Sequence, residues 1–201
     1  MSATTPRIAV LGSGAGSNFV AVANAIAAGT LDATVVLVVS DYSNAGILKH
    51  AADRDLPHVF LDPGPNPNRF ADEAQIELAR LLREARADAI VCAGFMRVLK
   101  APMLTEWAGR IINIHPSLLP QFRGRDAISQ ALAAGIPVTG CTVHLVTEEI
   151  DSGEILAQSE VPLLAGDTKE TLTPRINAAE RALYPSALQK WLHSPGSRNS
   201  E

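Results

Sequence analysis

Short apolar runs alternate along this chain with stretches whose apolar residues recur at helical spacing. Ile8 to Leu11 is apolar throughout and ends in GSGAGSN, residues 12 to 18. Beyond it Phe19, Val22, Ala23 and Ile26 share one helical face, and Gly29 closes the segment. Thr34 to Val39 is apolar on both faces, as a central parallel strand should be. A helix over residues 45 to 54 and a short strand at His58 to Leu61 follow, then DPGPNPN, a loop because its prolines feed neither ladder nor helix. Leu78, Leu81, Leu82 and Ala85 mark another helix. Ala89 to Ala93, Ile111 to His115, Val138 to Val146 and Ile155 to Val161 read as strands. Leu172, Ile176, Ala179 and Leu183 describe a last amphipathic helix, with Thr173 and Pro174 expected as its N-cap and first position.

Strands alternating with helices predict an α/β fold: a doubly wound, mostly parallel sheet with helices on both faces. One domain is expected over residues 1–192, and HSPGSRNSE, residues 193–201, is expected to be a disordered tail. In such sheets ligands bind beyond the carboxyl ends of the strands. That rule puts the glycine loop, Gly94 to Arg97, and Asn113 to His115 on one rim. Leu118 to Gly135, with Pro120, Gly124 and the charged run Arg123 to Asp126, is expected to be mobile and to order over a ligand.

Composition narrows the class. Hydrophobic residues make up 47% of the chain and charged residues 19%, with 17 Lys and Arg against 21 Asp and Glu. No basic cluster suggests a nucleic-acid surface. The N-terminus lacks a basic n-region and no stretch approaches a membrane span, so a cytoplasmic protein is expected. Cys92 and Cys141 sit inside strand-like runs and read as reduced core thiols.

Two places carry candidate chemistry. GSGAGSN fits neither the dinucleotide fingerprint nor the P-loop. It is either a tight strand-to-helix turn with Ser17 as N-cap or an anion site, with backbone N–H groups, Ser17 and Asn18 as donors. Asn113 and His115 lie two residues apart on one face of a strand that Pro116 stops. A third polar element, Glu148 to Gly153, follows the apolar run ending at Val146. An amide to stabilise an oxyanion, an imidazole to stabilise charge or shuttle a proton, and an acid to orient the ring are the parts a carbonyl-addition reaction requires. His115, His144 and Asp151 could instead form a metal set, but no metal-ligand spacing supports it, and none is expected.

These segments, in order, resemble the phosphoribosylglycinamide formyltransferases, folate-dependent enzymes of purine synthesis. The matching pieces are GSGAGSN at 12 to 18, AGFMRVL at 93 to 99, NIHPSLLP at 113 to 120, TGCTVHLV at 139 to 146, DSGEILAQ at 151 to 158 and NAAERALYP at 177 to 185. The resemblance implies formyl transfer from 10-formyltetrahydrofolate, a co-substrate, to the amine of 5′-phosphoribosylglycinamide. It implies Asn113, His115 and Asp151 as the catalytic trio. Gly16, Ser17 and Asn18 would hold the acceptor's phosphate, and Asn177, Ala178, Ala179 and Glu180 would face its ribose or glycinamide. Met96, Arg97, Val98 and Leu99 with Thr147, Glu148, Glu149 and Ile150 would line the pterin pocket, largely through backbone, and Arg69 would approach the folate tail.

The sequence departs from the family pattern at Gln121 to Ile128, where Arg123-Gly124 is similar to methionyl-tRNA formyltransferases, and at Arg181, where a histidine is common. The tRNA enzyme carries basic surface and a further domain, and a formyltetrahydrofolate deformylase carries an N-terminal regulatory domain. Both are expected to fit less well, as is a non-catalytic folate- or phosphosugar-binding module.

Overall fold

The computed structural model describes residues 4–66 and 68–194. The chain runs β1 (Arg7–Leu11), α1 (Ser17–Ala27), β2 (Thr34–Ser40), α2 (Gly46–Ala52), β3 (His58–Phe60), α3 (Asp72–Glu84), β4 (Ala89–Cys92), α4 (Met103–Glu106), β5 (Ile111–His115), α5 (Ala127–Ala134), β6 (Val138–Leu145), β7 (Ile155–Pro162) and α6 (Lys169–Leu192). The seven strands form one sheet in the order β3-β2-β1-β4-β5-β6-β7. The first five pair parallel; β6 and β7 run antiparallel at one end. The expected doubly wound, mostly parallel sheet is therefore present.

Its central strands are apolar on both sides because each side meets a helix layer. Ile8 and Val10 pack with Phe19 and Val22 of α1 and Tyr184 and Leu188 of α6. Ala9 and Leu11, one residue out of phase, pack against Leu78 and Leu82 of α3 and Met103 and Trp107 near α4. A third cluster, with Ile128, Cys141, Val161, Leu172 and Ile176, seats α5 and the start of α6 on the antiparallel strands. Both cysteines are buried and unpaired. No described helix is long and apolar enough to cross a membrane.

Three expectations change. The last helix starts at Lys169, not near Thr173: Thr168 is its N-cap and forms a capping box with Thr171, while Pro174 and Pro185 lie inside the helix. The segment Leu118–Gly135 is not loop throughout, since residues 127–134 form α5 and bury Ala127, Ile128 and Ala131. Helical propensity in AISQALAA and a buried face explain the difference. At the other end, His193 and Ser194 of the expected tail are placed: His193 Nε2 lies 3.1 Å from the Asp32 carbonyl oxygen, and Ser194 N–H donates to Trp191. The remainder of that expected tail, residues 195–201, lies outside the described residues.

Candidate active site

β1 and β4 are neighbours although the chain leaves them in opposite directions, to β2 on one side and β5 on the other. Loops leaving their carboxyl ends therefore diverge and open a crevice. A cavity of about 470 Å³ lies at that rim. Its walls come from Gly94 to Leu99 after β4, Asn113 to Pro116 at the end of β5, Gly124 to Asp126 before α5, and the segment from His144 through Asp151.

Asn113, His115 and Asp151 converge there with His144. Asp151 Oδ2 lies 3.3 Å from His115 Nδ1, and Asp151 Oδ1 lies 3.5 Å from His144 Nε2. The Gly124 N–H donates to Asp151 Oδ2 at 2.8 Å, and His115 Nε2 donates to the Phe122 carbonyl at 2.9 Å. The sequence pattern by its own chemistry offers His144 only as a candidate metal ligand. Antiparallel register sets it opposite Asn113. Its Nδ1 lies 2.9 Å from the Leu145 carbonyl and its Nε2 lies 3.3 Å from Asn113 Nδ2. Burial holds the His144 ring below its ordinary pKa, outweighing the Leu145 carbonyl and the Asp151 charge that favour protonation. A neutral ring donating from Nδ1 accepts at Nε2, so one Asn113 N–H is fixed on His144 and the other is left for the cavity. Among the described residues no group of three or more His, Cys, Asp and Glu side chains is arranged to hold a metal ion.

Two backbone features hold this arrangement. Asp151 and Phe122 both adopt left-handed conformations, at φ 49° and 55°, and each is tied down by the bonds just described. Gly153 has no room for a side chain: a Cβ there would lie 1.8 Å from the Leu145 carbonyl oxygen. The glycine of DSG thus lets the turn carrying Asp151 press against β6.

The glycine loop lies beside the cavity. Gly16, at φ 80°, is the N-cap of α1, and a Cβ on it would meet Ile47 Cα at 2.8 Å. Ser17 is thus the first helical residue, not the cap, and it is exposed. The first backbone N–H groups of α1 have no partner within the helix, which leaves donors at its N-terminus. Asn18 is buried and turns Nδ2 to Glu180 Oε2 of α6 at 2.9 Å, leaving its Oδ1 unpartnered. Burial pushes the Glu180 carboxyl up, against the lowering effect of the Asn18 hydrogen bond. Asn177 and Glu180 share a helix face. Ala178 is exposed instead, and Ala179 packs into the cluster under β6 and β7, so neither small residue faces the site through its side chain.

The expected pterin wall assembles in part. Met96, Arg97, Val98, Leu99, Thr147, Glu148 and Ile150 line the cavity, with Met96 and Ile150 exposed at its mouth. Glu149 does not line it; its carboxylate pairs with Arg123 at 3.2 Å. Arg69 is exposed and off the wall, its backbone bridging to Val98. The Arg97 guanidinium is drawn to Asp41, a residue that no motif singled out.

Comparison with known proteins agrees with this architecture. A family model described as formyl transferase matches residues 6–188. The chain is 39% identical over 187 residues to the phosphoribosylglycinamide formyltransferase of Bacillus subtilis (strain 168), covering 92% of this chain and 94% of that one. It is 45% identical over 190 residues to the trifunctional purine biosynthetic protein adenosine-3 of Drosophila pseudoobscura pseudoobscura, covering 94% of this chain. It spans only 14% of that relative's length. The crystal structure of phosphoribosylglycinamide formyltransferase from Bacillus halodurans superposes with a TM-score of 0.88 at 41% identity, covering 94% of this chain and 96% of that chain. A match running from β1 into α6, across every wall of the cavity, means that this chain belongs to the formyl transferase family.

Proposed function

We propose that this protein transfers the formyl group of 10-formyltetrahydrofolate to the amine of 5′-phosphoribosylglycinamide, within one catalytic unit spanning residues 1–192. The observation that carries the reading is the cluster of Asn113, His115, His144 and Asp151 on the walls of one cavity. The names of relatives that are 39–45% identical support the same step.

In this reading the folate donor lies along Met96 to Leu99 and Thr147 to Ile150, and is read chiefly by backbone groups. The acceptor's phosphate meets the α1 N-terminus at Gly16, Ser17 and Asn18. Asn177 and Glu180 face its sugar or glycinamide end. The acceptor amine attacks the formyl carbon, and the carbonyl oxygen becomes an oxyanion. The Asn113 N–H left uncommitted by His144 donates to that oxygen, where a preorganised donor contributes roughly 3–4 kcal/mol. His115 supports the same charge when its Nε2 exchanges the Phe122 carbonyl for the substrate oxygen. Asp151 accepts the amine's proton, directly or through water, and the folate nitrogen takes one as it leaves. The products are the N-formyl acceptor and tetrahydrofolate. No covalent enzyme intermediate is needed.

Small-molecule substrates, no nucleic acid and a cytoplasmic setting belong to the same proposal. A deformylase would use water as acceptor and would have no need of the Asn18–Glu180 pair. The test is a steady-state assay with 10-formyltetrahydrofolate and phosphoribosylglycinamide, run beside no-acceptor and methionyl-tRNA controls. Acceptor-dependent tetrahydrofolate release supports the proposal; equal release without acceptor identifies a deformylase, and release only with charged tRNA identifies the tRNA enzyme.

A further inference from the structure

Asp41 stands at the carboxyl end of β2, outside every segment that the catalytic reading uses. It is 3% exposed, its side chain is fully buried, and it holds a charge partner. Arg97 Nε donates to Asp41 Oδ2 at 2.6 Å, and the Arg97 side chain is itself only 7% exposed. The other Asp41 oxygen, Oδ1, is buried without a hydrogen-bond partner. A buried pair that leaves a carboxylate oxygen unsatisfied is a poor device for stability, since two desolvated charges replaced by apolar groups commonly do as well or better. Its geometry points to another use.

The guanidinium ties together three segments. Besides Asp41, Arg97 donates through Nη1 to the Asn66 carbonyl at 2.7 Å and lies over the Tyr42 ring, 5.5 Å from its centroid. Next to it, Val98 N–H donates to the Asn68 carbonyl at 2.9 Å. On the other side, Met96 N–H donates to Ser13 Oγ at 2.9 Å. The loop between β4 and α4 is therefore pinned to the glycine loop at Met96, to β2 and residue 66 at Arg97, and to residue 68 at Val98. Of these three anchors only the middle one is made by side-chain charge, and the wall it anchors is the one that reads the donor through backbone.

We infer that Asp41 is a positioning residue for the donor pocket. It holds the Arg97 side chain against the loop at Asn66 and so sets the backbone of Met96 to Val98 along the cavity wall. This rests on the reading of that wall as the folate site. Without the Asp41 charge the guanidinium is left in a dry site with no counter-charge. It leaves for water, and the Asn66 contact and the backbone that carries Arg97 go with it. The acceptor side, held by α1 and α6, has no bond to Asp41.

The test uses Asp41→Asn, which keeps shape and an acceptor oxygen but not charge, and a double variant, Asp41→Leu with Arg97→Met, which removes both charges. Binding of tetrahydrofolate is measured by calorimetry, and KM for each substrate by steady-state kinetics. Asp41→Asn is expected to weaken tetrahydrofolate binding and raise donor KM about tenfold, with acceptor KM unchanged. The double variant is expected to stay weakened because the Asn66 tie is still missing. Equal loss for both substrates, unchanged or tighter tetrahydrofolate binding in Asp41→Asn, or wild-type donor affinity in the double variant overturns the inference. If the wild-type protein itself fails to bind tetrahydrofolate, it is the folate reading of the wall that falls instead.

Discussion

Asp151 accepts the Gly124 N–H and lies 3.3 Å from His115 Nδ1, so its charge is tied to the ring expected to face the oxyanion. On the proposed mechanism Asp151→Asn and His115→Ala each lower kcat by about 100-fold or more with modest KM changes, and the double variant loses little beyond either one. Rapid-quench kinetics checks this; near-wild-type kcat in Asp151→Asn sinks the role assigned to it. Glu180 gives a prediction of the opposite kind. Burial raises its carboxyl above the unfolded value, so the folded chain binds that proton more tightly than the unfolded chain. Glu180 therefore favours folding below its unfolded value, and that contribution is lost as pH rises through the folded value. Above the unfolded value, burying this carboxyl therefore costs stability, since the chain must either desolvate the charge or take up a proton on folding. Glu180→Gln keeps an acceptor for Asn18 Nδ2 and removes the charge. It should raise Tm at pH 7–8, by about 2–4 °C per kcal/mol recovered, with the gain shrinking toward pH 4. It should also raise acceptor KM, a cost expected where a destabilising group serves binding. An equal Tm difference at both pH values contradicts the charge argument.

Among the elements, α6 does the most to join parts of the fold. Glu180 and Tyr184 are four residues apart and so share a face. The Tyr184 hydroxyl, wholly buried, points at two backbone carbonyls, Cys92 of β4 at 3.0 Å and Ile112 of β5 at 3.1 Å. Those residues adjoin Ala93 and Asn113, where both strands reach the site. Burial raises the tyrosine's pKa well above its ordinary value, so the hydroxyl remains a donor. Tyr184→Phe removes one oxygen and should cost about 1 kcal/mol. The corresponding fall in Tm is about 2–4 °C, measured by circular dichroism at constant pH. No fall in Tm would mean that the strand ladder already satisfies both carbonyls. Helix α6 also shows how a local signal misleads. Thr173-Pro174 has the residue types of a helix start, but Thr168 and Thr171 form the capping box one turn earlier. A proline is tolerated inside the helix where tertiary packing of Leu172 and Ile176 fixes the backbone on both sides of it.

For the whole molecule, the apolar two-sided strands decided the layer order, and the thiols report on that core. Burial pushes Cys92 and Cys141 each up to about 12. Neither should react with a soluble alkylating reagent at pH 8 in the folded protein, and both should react once it is denatured, as intact mass will show. Rapid modification of the folded chain would place a thiol outside the core described here.

Much of this is legible in the sequence. Periodicity gave the strand and helix sequence, because residues at spacing 2 and 3.6 report burial locally. Motif order gave the family, and Asn113, His115 and Asp151 do meet although 38 residues separate the first from the last. Short α4 and α5 escaped: a one-turn helix has too few positions to show a period, and the helical run of α5 follows a loop rich in charge and glycine. Other features depended on partners distant in sequence. His144 orients Asn113 only because β6 returns antiparallel in that register. Asp41 finds Arg97 only because β2 and β4 both flank β1 and end on the same rim. Asn18 turns from the loop to Glu180 because α1 and α6 pack together, 162 residues apart in sequence. The sequence by itself determined which residue types stood at each strand end, since backbone period and side-chain chemistry are local. Which of those groups were left free for a substrate was decided by the tertiary structure, because hydrogen bonds and charge pairs form between whichever groups the packed sheet brings within reach.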